Sequence, residues 1–208
     1  MDVIGRGVQY KVVNTHDGRV RKIPLTREEA EAVVAGWYAP NAAPAEAFSI
    51  DYHLAQRSCE GLQVILARHP ALAPHLANPE FEEGAEYTQD YVRVFGDVLR
   101  RVTAEDGRKL LEQYAEQILL QWRYGFSETV FNPTVNSGVD RDGRIVLLDI
   151  GELNFNQAKV SQQIAAKRWL QAWSYTGDLP KSLRGHYREV MANRLTESNL
   201  EELWASLV

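Results

Sequence analysis

Cysteine is nearly absent from this chain: Cys59 is the only one in 208 residues. One thiol can close no internal disulfide and build no thiolate metal cluster, which points to a reducing, cytoplasmic setting. No apolar run approaches the roughly 20 residues of a membrane-spanning helix, and the first residues lack the pattern of a secretory signal, so no membrane partner is expected. Positive charge is not in surplus either. With 23 Lys and Arg against 28 Asp and Glu, the net charge is −5. That excludes general nucleic-acid binding, which needs a basic face to displace counterions from phosphates. The five histidines, at positions 16, 53, 69, 75 and 186, are scattered and give zinc little support. The P-loop signature, H-E-x-x-H and G-x-S-x-G are all missing.

What the sequence does contain is concentrated in two hairpins. The first in importance runs from Asn136 to Gly151, through Val139, the turn pair Asp142-Gly143 and the apolar strand Ile145–Leu148. Asp-Gly between β-prone runs is a strong hairpin signal. Closing it brings Asn136 and Asp149 to one edge. A neutral oxygen ligand beside a carboxylate suits a hard, partly hydrated Mg²⁺ that holds nucleotide phosphates. Asp140 and Asp142 read as solvated turn residues.

The second hairpin lies near the start, where Gly5-Arg6-Gly7-Val8-Gln9-Tyr10-Lys11-Val12 leads through Asp17-Gly18 into Arg19-Val20-Arg21-Lys22-Ile23. Val20 and Lys22 share one face of a strand, so an apolar side chain can cover a base while the ammonium reaches phosphates. Arg19, Arg21 and Lys22 form a local basic cluster, read as a phosphate-facing or solvated strand. Further on, Glu60 opens a stretch that closes on His69-Pro70.

These fragments resemble the protein-kinase-like fold. There a G-x-G-x-x-G-x-V loop covers ATP phosphates, a strand lysine grips them, and a helix glutamate orients that lysine. The resemblance implies Gly5, Gly7, Val12, Val20, Lys22 and Glu60 as nucleotide-binding residues. It implies Asn136 and Asp149 as metal ligands, with Lys22 and Asp149 carrying the chemistry, and ATP and Mg²⁺ as cofactors. Glu46 is a second candidate for the lysine partner. Asn136 precedes Asp149 by thirteen residues, the kinase spacing from catalytic-loop Asn to D-F-G, and Asp149-Ile150-Gly151 stands for that triplet. Two departures matter. Tyr10 replaces the third glycine, and the base position five before Asn136 is Phe131. A carboxylate restored at 131 is expected to add a base, and Glu128 is the nearest carboxylate upstream. No Ala-Pro-Glu follows Gly151.

The chain is most similar to the small bacterial kinase-like group that includes the YrbL-type proteins. The implied fold is α+β: a compact two-lobed protein-kinase-like fold, with a β-rich N-lobe over 1–92 and a truncated helical C-lobe over 93–208 that carries the metal-site hairpin. Two functions follow from the resemblance. One is slow phosphoryl transfer to a small molecule or an unusual protein site, with AMP transfer as a variant. The other is a pseudokinase, a nucleotide-regulated interaction module with a protein partner.

Local signals mark the helices. Thr26–Glu29 is a capping box before an apolar face at Ala30, Val33, Val34 and Trp37. A longer helix is expected from about Ala45 to Arg68, then a turn-rich passage from Pro70 to Pro79 and a strand over Tyr87–Val92. Thr103 caps the clearest helix, whose stripe is Leu111, Tyr114, Ala115, Ile118, Leu119 and Trp122. The tail reads as helix throughout, with Ala165, Trp169, Ala172 and Trp173 on one face and Leu200, Leu203, Trp204 and Leu207 on another.

Overall fold

The computed structural model describes residues 2–7, 9–37, 44–171 and 179–205; Ala172, Trp173 and Leu207 lie outside them. Side chains at 34–37, 44–51 and 205 also lie outside the description, which covers the expected packing of Val34 and Trp37. The fold is mixed α and β, and the chain divides into two units, 1–91 with 150–152, and 92–149 with 153–208.

The first unit is built on an antiparallel sheet. Strands β1 (Asp2–Arg6), β2 (Tyr10–Asn14) and β3 (Arg19–Pro24) are followed by β4 (Glu80–Phe81) and β5 (Tyr87–Asp90), in the order β1-β2-β3-β5-β4. The β2–β3 turn closes through Gly18 at φ 88°, with Asp17 Oδ1 accepting from the Arg19 amide. Helix α1 (Arg27–Trp37) starts as its capping box requires: the Glu29 amide donates to Thr26 Oγ1, and Glu29 Oε2 accepts from the Thr26 amide. Helix α2 (Pro44–Arg68) ends just before His69, where Pro70 cannot continue it. The passage expected to be turn-rich is a 3₁₀ helix, Pro70–Leu76, with Leu72 and Leu76 buried.

The basic strand cluster separates by face. Arg19 pairs with Glu80 and Asp90, and Arg21 pairs with Glu82 and Glu86. Both arginines are therefore committed to the acidic strands beside them, which corrects the phosphate-facing reading for these two. Lys22, on the opposite face, is not part of that set.

The second unit is mainly helical. It opens with β6 (Arg93–Val94) and α3 (Phe95–Leu99), followed by the long α4 (Ala104–Arg123), capped by Thr103 Oγ1 accepting from the Asp106 amide. Then come β7 (Ser127–Glu128), the single turn α5 (Pro133–Asn136), β8 (Ser137–Val139), β9 (Ile145–Leu147) and β10 (Leu153–Asn154). β6, β8 and β9 form one small sheet, and β7 pairs with β10. Helices α6 (Gln157–Ala165), α7 (Arg184–Arg194) and α8 (Glu197–Ala205) complete it.

The core of this unit gathers the whole α4 stripe around Phe131, Val139, Ile145, Tyr187 and Leu200. One expectation fails here. The tail is not helical throughout: α6 stops at Ala165, and Lys167 takes a left-handed φ of 46° before a short 3₁₀ turn, Arg168–Leu170. A left-handed residue ends helical hydrogen bonding, so Ala165 stays exposed while Trp169 turns into the core.

Candidate functional site

In the first unit the sheet register determines which residues meet. Gly5 pairs with Val12, Val12 with Lys22, and Lys22 with Tyr87, so these positions form a row across four neighbouring strands. Val20 lies two residues before Lys22 on the same face and is buried with it. Lys22 is only 8% exposed, and its Nζ lies 5.6 Å from the centroid of the Tyr87 ring. An ammonium beside an aromatic face is attracted by the ring quadrupole.

The glycines need a different account. Neither Gly5 nor Gly7 has positive φ. An added Cβ would meet Val12 atoms at 3.6 Å from Gly5 and the Tyr10 carbonyl at 3.9 Å from Gly7, both ordinary contacts. The protein's own packing therefore does not demand glycine at either place. Gly151 is the opposite case: a Cβ there would sit 2.3 Å from Gln9 Oε1 and 2.7 Å from a Tyr10 ring carbon. Its carbonyl also accepts from Ser58 Oγ, on α2. Glu60 is exposed and accepts from Gln56 one turn earlier, while Ser58, Cys59 and Leu62 take the buried face. Its hydrogen bond is thus within its own helix, not to Lys22. The side chain of Glu46 lies outside the described residues.

In the second unit the hairpin does what its turn chemistry dictates. Asp140 Oδ1 accepts from the amides of Asp142 and Arg144, Gly143 has φ 83°, and Arg144 pairs with both aspartates. Asp140 and Asp142 are turn residues. Gly138 is fixed by space, since a Cβ would lie 2.5 Å from Val92 Cγ2 and 3.0 Å from the Arg93 carbonyl. At the far end, the Asn136 carbonyl accepts from the amides of Leu148, at 2.7 Å, and Asp149, at 3.2 Å. Thirteen residues of chain thus return Asp149 to the backbone of Asn136.

Beside this pair sits a residue whose place the sequence did not reveal. Glu128, 1% exposed, accepts from Tyr114 Oη at 2.6 Å, from Asn136 Nδ2 at 3.5 Å and from the Asn132 backbone amide. Burial raises its pKa from 4.5 to about 7; the hydrogen bonds from Tyr114, Asn136 and Asn132 oppose the rise, and the Asp149 charge adds to it. Burial also pushes the Tyr114 and Tyr187 phenols well above their ordinary value, with the Glu128 charge adding to each shift. The one signal that could have found Glu128 is Tyr114: a tyrosine in an apolar helix stripe needs a partner for its hydroxyl.

Phe131 corrects the expectation attached to it. It is fully buried, packs edge-on against Trp169, and its carbonyl accepts from Tyr187 Oη. With φ 49° it is a left-handed, core-facing residue. A carboxylate introduced there would enter the core, so restoring a base at 131 is not a workable change.

Among the described residues no group of three or more His, Cys, Asp or Glu side chains could hold a metal ion.

No protein-family model matches this chain, and no curated protein does. Among solved structures it is similar to Rv3197 of Mycobacterium tuberculosis, determined in complex with erythromycin. The match has 15% identity and a TM-score of 0.46, covering 92% of this chain and 53% of that one. The chain therefore spans about half the length of that protein.

Proposed function

We propose that this is a kinase-like protein that binds ATP with Mg²⁺, its first unit a β-rich lobe and its second a truncated helical lobe. The observation that supports the reading is the return of the Asp149 backbone to the Asn136 carbonyl, which brings the two residues together in the chain's path. In this reading Asn136 and Asp149 hold the metal and Lys22 neutralises phosphate charge. Gly5 and Gly7, which the protein's own packing leaves unconstrained, allow backbone amides to approach the phosphates. When bound, Mg²⁺ supplies charge neutralisation across the phosphates and orients them. The chain's own residues bind and position; Phe131, buried in the core, moves no proton.

Loss of a base at 131 divides the reading in two. Positioning and metal charge supply most of phosphoryl transfer, so a slow phosphotransferase acting on a small molecule or an unusual protein site needs no base there. The burial of Phe131 favours the second form, a pseudokinase whose nucleotide occupancy regulates a protein contact.

Thermal unfolding of the full chain tests the binding. ATP with Mg²⁺ at 100 times its Kd is expected to stabilise the folded protein by about 2.7 kcal/mol. Asp149→Ala should abolish the Mg²⁺-dependent part, and Lys22→Ala should weaken binding with or without metal. Absence of any shift in the wild type at millimolar ATP and Mg²⁺ would leave a structural domain. Release of ADP, or of pyrophosphate in an AMP transferase, above the level of Asp149→Ala would identify an enzyme. Binding without either product would identify the pseudokinase.

A further inference from the structure

We infer that Glu128 is a positioning residue for the metal-side amide of Asn136: by accepting from Nδ2, it turns Oδ1 toward the place of the cation. The inference rests on the Mg²⁺–nucleotide reading above. An asparagine amide has two nearly isosteric ends, one donating and one accepting, and only the oxygen can serve a cation. An ionised carboxylate against the amide removes the ambiguity, because only the NH₂ end can face it. Glu128 Oε2 stands 3.5 Å from Asn136 Nδ2.

The carboxylate is itself held. Tyr114 Oη donates to Oε1 at 2.6 Å, and the Asn132 amide, at the start of α5, donates as well. Tyr114 is 1% exposed on the buried stripe of α4, so the orienting chain begins in the rigid core. It runs from Tyr114 to Glu128 to Asn136, whose carbonyl then takes the amides of Leu148 and Asp149. At 1% exposure Glu128 works through Asn136, as outer-shell carboxylates do when they orient a metal ligand.

Glu128→Gln tests this without changing side-chain volume. Tyr114 donates to the remaining oxygen, so the new amide nitrogen faces Asn136 Nδ2. Two donors then meet, and Asn136 must rotate its oxygen inward and away from the metal. Mn²⁺ can be followed by electron paramagnetic resonance on the full chain with a non-hydrolysable ATP analogue. Glu128→Gln should lower Mn²⁺ affinity by about tenfold or more, the usual loss for an outer-shell partner. Binding of the analogue in EDTA should match the wild type, which separates orientation from general damage. Wild-type Mn²⁺ affinity in Glu128→Gln would overturn the positioning role and leave the nucleotide reading intact. No Mn²⁺ binding by the wild type with the analogue would remove both. If Glu128→Gln does not fold, Tyr114→Phe takes its place: it frees the carboxylate and should weaken Mn²⁺ about fivefold, the worth of one hydrogen bond. Unchanged affinity in Tyr114→Phe would then overturn the inference.

Discussion

The two hairpins close on the same chemistry and present their polar residues in opposite ways. Each turns through Asp-Gly, with Gly18 at φ 88° and Gly143 at φ 83°. In β2–β3 Lys22 lies in mid-strand, beside Val12 and over Tyr87, and is 8% exposed. In β8–β9 every residue of both strands is buried, so neither face can display anything. Apart from the buried Ser137, polar side chains there lie beyond the strands, with Asn136 just before β8 and Asp149 two residues after β9. A sheet with an accessible face can offer a side chain anywhere along its length. A hairpin sunk in a core can offer one only where it stops.

The largest expected effect tests the depth of the second hairpin's surroundings. Phe131→Asp should destabilise the protein by about 4 kcal/mol or more, from lost apolar contacts and a carboxylate buried without a partner. Urea denaturation of the full chain measures it. Near-wild-type stability would show that position 131 can reach water, and the burial described for this unit would be wrong.

Next in size is the buried carboxylate. The folded pKa of Glu128, about 7, lies above its ordinary 4.5. The folded state therefore holds the proton more tightly than the unfolded state does. That contribution is complete below pH 4.5 and is lost as pH rises through about 7. Without nucleotide or metal, it amounts to a loss on the order of 3 kcal/mol between pH 5 and pH 8. Glu128→Gln carries no such titration, so its urea midpoint should fall less than that of the wild type over the same range. Parallel curves for the two proteins would mean that Glu128 is hydrated.

The smallest effects set one glycine against another. Gly138→Ala drives a methyl into Val92 and the Arg93 carbonyl and should cost about 1–3 kcal/mol. Gly5→Ala meets only ordinary contacts and should stay within about 0.5 kcal/mol of wild type. On the nucleotide reading, the second variant should nonetheless weaken ATP binding. If both alanines prove equally harmless, the distinction between a face and an end has no energetic basis.

Much of the local structure was legible because its causes are local. Asp17-Gly18, Asp142-Gly143, the Thr26–Glu29 box and the Thr103 cap each act within four residues, and each forms as its chemistry requires. The end of α2 at Arg68 follows from Pro70 in the same way. The adjacency of Asn136 and Asp149 was legible because the turn between them was. Glu128 was not, since its burial is supplied by Tyr114, on the preceding helix, and no local pattern records which carboxylate a core tyrosine will meet. Phe131 was misread for a related reason. Its position in a motif suggested that a carboxylate there would add a base, whereas Trp169 and Tyr187, distant in sequence, draw it inward. Lys167 shows the limit of periodicity: the apolar spacing of the tail persists across a left-handed residue that breaks the helix.

The doubled acceptor at Asn136 has a consequence for time rather than energy. One carbonyl oxygen holds the amides of both Leu148 and Asp149, at the open end of a hairpin with no exposed strand residue. Both amides are hydrogen-bonded to that one oxygen, so neither exchanges freely until this end of the hairpin opens. Their hydrogens should therefore exchange with deuterium together and at the slowest rate in the second unit, set by its cooperative opening. The backbone that carries Asp149 is consequently assembled for as long as that unit stays folded.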